Sequence, residues 1–69
     1  MIIKISPKML SIDPRSFNEK EKLFFKSYKV PECLTVSENF FGCIQFTGNK
    51  EHLFDFLLSL SFQFDIELI

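Results

Sequence analysis

His52 and Asp55 stand three residues apart, close enough on a helix for an imidazole–carboxylate contact, and Cys33 and Cys43 are the two thiols of the chain. These are the side chains whose types could do acid–base, nucleophilic or metal chemistry. A general base works only with a nucleophile within hydrogen-bond reach, and the cysteines are expected on the sheet face away from the helix that carries His52. His52 therefore reads as a solvated helix residue. Two thiolates could close a cross-strand disulfide or begin a zinc site, but structural zinc takes four ligands. Cys33 and Cys43 read instead as free thiols packing like small hydrophobes. No Gly-rich phosphate loop is present. The chain assigns no catalytic residue, no metal and no cofactor, so it reads as non-enzymatic and its function has to be argued from surfaces.

The elements that would build those surfaces follow from periodicity. Met1 to Ser6 is a short β run, followed by an irregular, extended segment to Ile12. Asp13-Pro14 announces a helix with Asp as N-cap and Pro at its first position, and Ser16 with Glu19 offers a capping box as an alternative start. In this first helix Phe17, Phe24, Phe25 and Tyr28 share one side at 3.6 residues per turn. Lys22, Lys26 and Lys29 cluster on the other. Glu21 falls inside the apolar stripe, where a Lys partner or snorkelling accounts for it. Val30-Pro31 ends the helix.

Cys33 to Ser37 and Phe40 to Phe46 read as a hairpin with a three-residue loop, Val36 opposite Phe40, Thr35 opposite Phe41 and Cys33 opposite Cys43. Thr47-Gly48-Asn49 supplies a turn and cap before a second helix from about Lys50 to Leu60. Its apolar residues take half or more of its circumference, more than one small sheet can hide. Phe54, Leu58 and Phe56 lie at the margins and are candidates for an interface. The final eight residues, Phe62 to Ile69, alternate apolar and polar with period two and predict a strand buried on one face.

The order β-α-β-β-α-β predicts a single α+β domain over residues 1–69, a ferredoxin-like four-stranded antiparallel sheet with both helices on one face. Its open face would carry Lys4, Thr35, Cys33, Phe41, Cys43, Gln45, Gln63, Asp65 and Glu67. Composition adds pressure toward association: 46% of the 69 residues are hydrophobic and ten are Phe, much apolar material for so small a core. A homodimer or an obligate partner would absorb the excess.

The net charge of −1 hides a division near Val30. Residues 1–30 carry seven basic and three acidic side chains, and residues 31–69 carry one against six. The N-terminus lacks a sustained apolar core and does not read as a signal peptide. Leu53 to Phe62, the longest nearly apolar stretch, is too short to cross a bilayer. With its two cysteines read as reduced, the chain is expected to be cytoplasmic, with no membrane partner.

The stretch Asn39-Phe40-Phe41-Gly42-Cys43-Ile44-Gln45-Phe46 resembles the third-strand signature of RNA-recognition motif domains at Phe41, Gly42, Ile44 and Phe46. The resemblance covers eight residues and implies base stacking by Phe41. Cys43 stands where the family has its second aromatic, Asn39 where it has a basic residue, and the first strand has no aromatic. Asp65 and Glu67 would oppose a phosphate backbone. The match is read as the shared geometry of a third strand.

Two functions follow. The first is a small protein-interaction module of the inhibitor, immunity or antitoxin type, binding and occluding a partner protein such as a basic nuclease or toxin. Phe41, Cys43 and Gln45 would form its contact surface, Asp65, Glu67 and Glu38 would steer the encounter, and Phe41 or Phe56 would anchor it. The alternative is an RNA-binding module using Phe41 with Lys22, Lys26 and Lys29; nucleic acid is the disfavoured partner.

Overall fold

The computed structural model describes residues 1–69. Strand β1 spans Ile2–Ser6 and strand β2 Met9–Ile12; helix α1 spans Glu19–Ser27; strands β3 and β4 span Thr35–Glu38 and Ile44–Thr47; helix α2 spans Lys50–Gln63, and strand β5 is Glu67–Leu68. The chain is α+β, with two helices on a five-stranded mixed sheet of order β3-β4-β2-β1-β5.

Four antiparallel strands were expected, and two differences separate that reading from the structure. The segment before Ile12 is no irregular extension. Pro7-Lys8 makes a two-residue turn, with Ser6 opposite Met9 and the Ser6 hydroxyl donating to the Met9 carbonyl at 3.3 Å. The hairpin forms because Ile3 meets Ile12 and Ile5 meets Leu10, so β1 and β2 turn their branched side chains to the same face. The second difference is direction. β5 lies parallel to β1, with Ile2 opposite Glu67 and Ile3 opposite Leu68.

Cross-strand register continues the apolar face through Leu10–Phe46 and Ile12–Ile44 to Val36–Phe46. Both helices cover it. Ile3, Leu10, Ile12 and Phe46 from the sheet join Leu34 and the α2 residues Leu53, Phe56 and Leu60 in one buried cluster. The α1 aromatics pack against its margin: Phe17 stacks on Phe25 at 4.9 Å, Phe24 meets Phe64 at 5.2 Å, and Tyr28 meets Phe56 at 5.7 Å.

Helix starts are fixed by side chains. Asp13 caps a single 3-10 turn over Pro14–Ser16, its carboxylate accepting from the Arg15 N–H at 2.9 Å. The capping box lies further on, between Asn18 and Glu21, in place of the expected Ser16 and Glu19. Ser16 instead accepts from the Ile2 N–H at 3.0 Å and donates to the Asp13 carbonyl, tying the turn to β1.

The β3–β4 hairpin forms, but in a different register from the expected one, and none of the expected partners meet. Val36 lies opposite Phe46 and Glu38 opposite Ile44, closing a five-residue loop over 39–43. The shift is even, so Val36, Ile44, Gln45 and Phe46 keep their expected faces, while Phe40 leaves the strand for the exposed loop. Thr35 meets Thr47 and not Phe41, and Cys33, outside β3, has no pairing with Cys43.

The C-terminal strand shrinks to two residues because α2 runs on to Gln63. Phe62 to Ile69 alternates with period two, yet Leu57, Leu60 and Phe64 also continue a helical spacing. The helix wins by burying Leu60 and packing Phe64 on the core, with the Phe64 N–H closing on the Leu60 carbonyl at 2.9 Å.

Candidate binding groove on the open sheet face

Alternation along the strands turns Lys4, Ser6, Met9, Ser11 and Gln45 away from the helices. Lys4 stands opposite Ser11, and Ser11 opposite Gln45, giving a polar row across three strands. These side chains floor a concave groove of about 410 Å³. Asp13 and Ile69 close its ends, and the 39–43 loop supplies a wall through Asn39, Phe41 and Cys43.

That loop is held by one residue. The Asn39 side-chain oxygen accepts from the backbone N–H groups of Phe41 and Cys43, both at 2.9 Å. Its own N–H donates to the Cys43 carbonyl and its carbonyl accepts from Gly42, both at 3.0 Å. Gly42 takes φ +83°, a left-handed turn that glycine adopts without strain. The clamp leaves Phe40 and Phe41 projecting, 97% and 79% exposed, edge to face at 5.7 Å. From sequence Asn39 is the last residue of the three-residue hairpin loop and stands where the RNA-recognition signature has a basic residue. Asn with Gly three positions on is a turn signal that would have found the clamp.

Three expected contact residues, Phe41, Cys43 and Gln45, come together here with Lys4. Glu67 sits in register with Ile2 at the outer edge of the same face. The others fall elsewhere. Phe56 is no surface anchor: it is buried 4.6 Å from Phe46, because position 56 shares the core side of α2 with Leu53 and Leu60. Asp65 lies past the end of α2 beside Lys20 and Phe62, its carbonyl accepting from the Met1 ammonium at 3.1 Å. Glu38 is in register with Ile44, on the opposite face from Gln45, and Gln63 ends α2. A single acidic sheet face is therefore not formed.

Electrostatics at the groove end are local. Arg15 grips the Asp13 carboxylate through Nε and Nη2 at 3.1 and 2.9 Å. The side-chain bond from Arg15, with its backbone N–H second, holds the Asp13 carboxyl below its usual 3.8.

The residues with chemical potential meet on the other layer. Cys33 is not on the open sheet face; it lines a recess with His52, Asp55 and Tyr28 beside α2. No hydrogen bond links the thiol to the imidazole, and both cysteines are free. Burial, with the nearby Cys33 thiol second, pushes the Tyr28 phenol above 10.0. No group of three or more His, Cys, Asp or Glu side chains is arranged to hold a metal ion. No helix is long and apolar enough to cross a membrane.

No family model, curated protein or solved structure matches the chain.

Proposed function

We propose that the protein is a small interaction module, of the inhibitor, immunity or antitoxin type, that binds and occludes a partner protein through the groove of its open sheet face. The observation that carries this reading is Phe41: a largely exposed aromatic held by the Asn39 clamp over a concave floor of Lys4, Ser11, Met9 and Gln45. Aromatic side chains with little rotamer freedom, beside pockets that can be dried on contact, are the residues on which interfaces concentrate their energy. The partner this surface suits presents an apolar side chain for Phe41 and Met9 and an acceptor for Lys4. An all-basic partner surface suits it less, since Asp65 and Glu38 lie off the groove.

We also read the fold as ferredoxin-like with one strand added. The segment β2-α1-β3-β4-α2-β5 has the order and strand directions of a ferredoxin-like unit, in which β1 is an added strand inserted between β2 and β5.

RNA binding is the second reading, favoured by the exposure of Phe41 alone. Lys22, Lys26 and Lys29 belong to α1 and its C-terminal end, on the layer across the sheet from Phe41. A strand stacked on Phe41 would not reach them along one face.

The test is affinity capture from host lysate with the native chain, with Phe41→Ala and with Gln45→Lys, each with and without nuclease. A stoichiometric protein captured by the native chain, retained after nuclease and lost with both variants, supports the module. Capture that vanishes with nuclease transfers the site to RNA, and capture indifferent to both substitutions removes the groove from the function.

A further inference from the structure

Helix α2 buries Leu53, Phe56 and Leu60, and leaves a second apolar stripe uncovered. Lys50, Phe54, Leu57 and Ser61 follow one another at spacings of four, three and four, the repeat by which one helix packs against another. Leu58 and Phe62 flank that seam, and Phe54, Leu58 and Phe62 are all exposed. Beside it, Ile5 lines a groove of about 300 Å³ with Phe54 and Leu57. The exposed apolar surface of Phe54, Leu58, Phe62 and Ile5 is on the order of 400 Å². That is a large bare patch for so small a chain and about half of the ~800 Å² per partner of a stable interface, the rest falling to a polar rim.

We infer that this stripe is the interface of a homodimer in which two α2 helices pack antiparallel about a two-fold axis between Leu57 and Leu58. Charge complementarity favours a second copy as the occupant. The N-terminal end of the stripe carries Lys50 and Glu51; the C-terminal end carries Asp65 with Lys20 in the recess beside Phe62. A two-fold through Leu57 and Leu58 sets Lys50 of one copy against Asp65 of the other and Glu51 against Lys20. It also lays each Phe54 over the small Ser61 of its partner. An isologous interface repeats every such contact twice. The α2 seam and the open face lie on opposite layers of the sheet, and the recess beside the seam meets the groove only at Ser6 and Met9.

Sedimentation equilibrium of the full chain across micromolar to millimolar concentration tests it. The expected result is a reversible rise from 8.1 kDa to twice that mass. Phe54→Asp, at an exposed position, abolishes the rise with the far-ultraviolet circular dichroism unchanged. Lys50→Glu and Asp65→Lys each weaken dimerisation by about tenfold, two rim pairs turning repulsive at once, and combining them restores it. A mass of 8.1 kDa at every concentration overturns the inference, as does a dimer indifferent to Phe54→Asp. A monomer that adsorbs to lipid vesicles through the same stripe overturns it as well.

Discussion

Glu21 Oε2 lies 3.3 Å from the α-amino nitrogen of Met1, in a position closed to solvent. The other carboxylate oxygen accepts from the Asn18 N–H at 2.7 Å, and the Asn18 side chain returns a bond to the Glu21 N–H at 2.9 Å. One side chain thus starts α1 and locks that start to β1. It is neither paired with a lysine nor snorkelling, as its position in the apolar stripe had suggested. A buried carboxylate is tolerated because every oxygen is matched.

Glu21→Ala leaves a buried ammonium with no counter-charge and undoes the capping box. Removing one partner of a buried pair costs about 3–5 kcal/mol, a large share of the ~5–15 kcal/mol that a domain has. Urea unfolding should show the midpoint fall accordingly. Glu21→Gln keeps an oxygen for the Asn18 N–H and should lose less.

The Asp13 carboxyl gives a site-resolved prediction. Its folded-state value is lowered, so its contribution to stability is present above the unfolded value of 3.8 and is lost as pH falls through the lower folded value. A carboxyl chemical-shift titration should find its midpoint below 3.8. In Arg15→Ala the midpoint should rise most of the way back, since the side-chain bond is the largest cause and the backbone N–H of position 15 remains.

Tyr28 acts at the other end of the pH scale. Its ring stacks on Phe24 at 5.0 Å and meets Phe56 at 5.7 Å, and burial raises its phenol above 10.0. The folded state holds the proton more tightly, so stability is complete below pH 10 and falls as pH rises through the folded value. Ultraviolet difference titration should place the midpoint above 10.0, and Cys33→Ser should lower it without bringing it to 10.0, because burial is the larger cause.

What the sequence made legible was periodicity over whole elements. The α1 aromatics and the parity of the β3–β4 pairing follow from spacings of 3.6 and 2, whereas the α2 spacing left Phe56 at a margin and its packing on Phe46 puts it in the core. The polar row of Lys4 and Gln45 followed from the same alternation. Competition between equally good local signals was not legible. Lys8 and Pro7 made Met9–Ile12 look irregular, yet the pairing of Ile5 with Leu10 needed that segment as a strand. Phe62 to Phe64 satisfied both periods, and only the burial of Leu60 and Phe64 decided between them. Glu21 found a partner 20 positions away through tertiary contact that no window along the chain contains.

The two glycines separate backbone strain from crowding. At Gly42 the left-handed φ of +83° penalises any side chain, but a Cβ there would meet nothing nearer than a Glu38 carboxylate oxygen at 3.7 Å. Gly42→Ala should cost about 1 kcal/mol or slightly more, while shifting the Asn39 clamp and with it the reach of Phe41. At Gly48 the fault is space. A Cβ would stand 2.8 Å from a Leu34 methyl and 3.0 Å from the Cys33 carbonyl oxygen, and the backbone carbonyl has no rotamer by which to move aside. Leu34 is itself in the buried cluster. Gly48→Ala should therefore destabilise by about 2 kcal/mol or more, by overpacking. Thermal unfolding should rank Gly48→Ala below Gly42→Ala, and partner capture should rank them the other way; equal effects in both measurements would remove the distinction between a glycine that shapes the groove and one that closes the core.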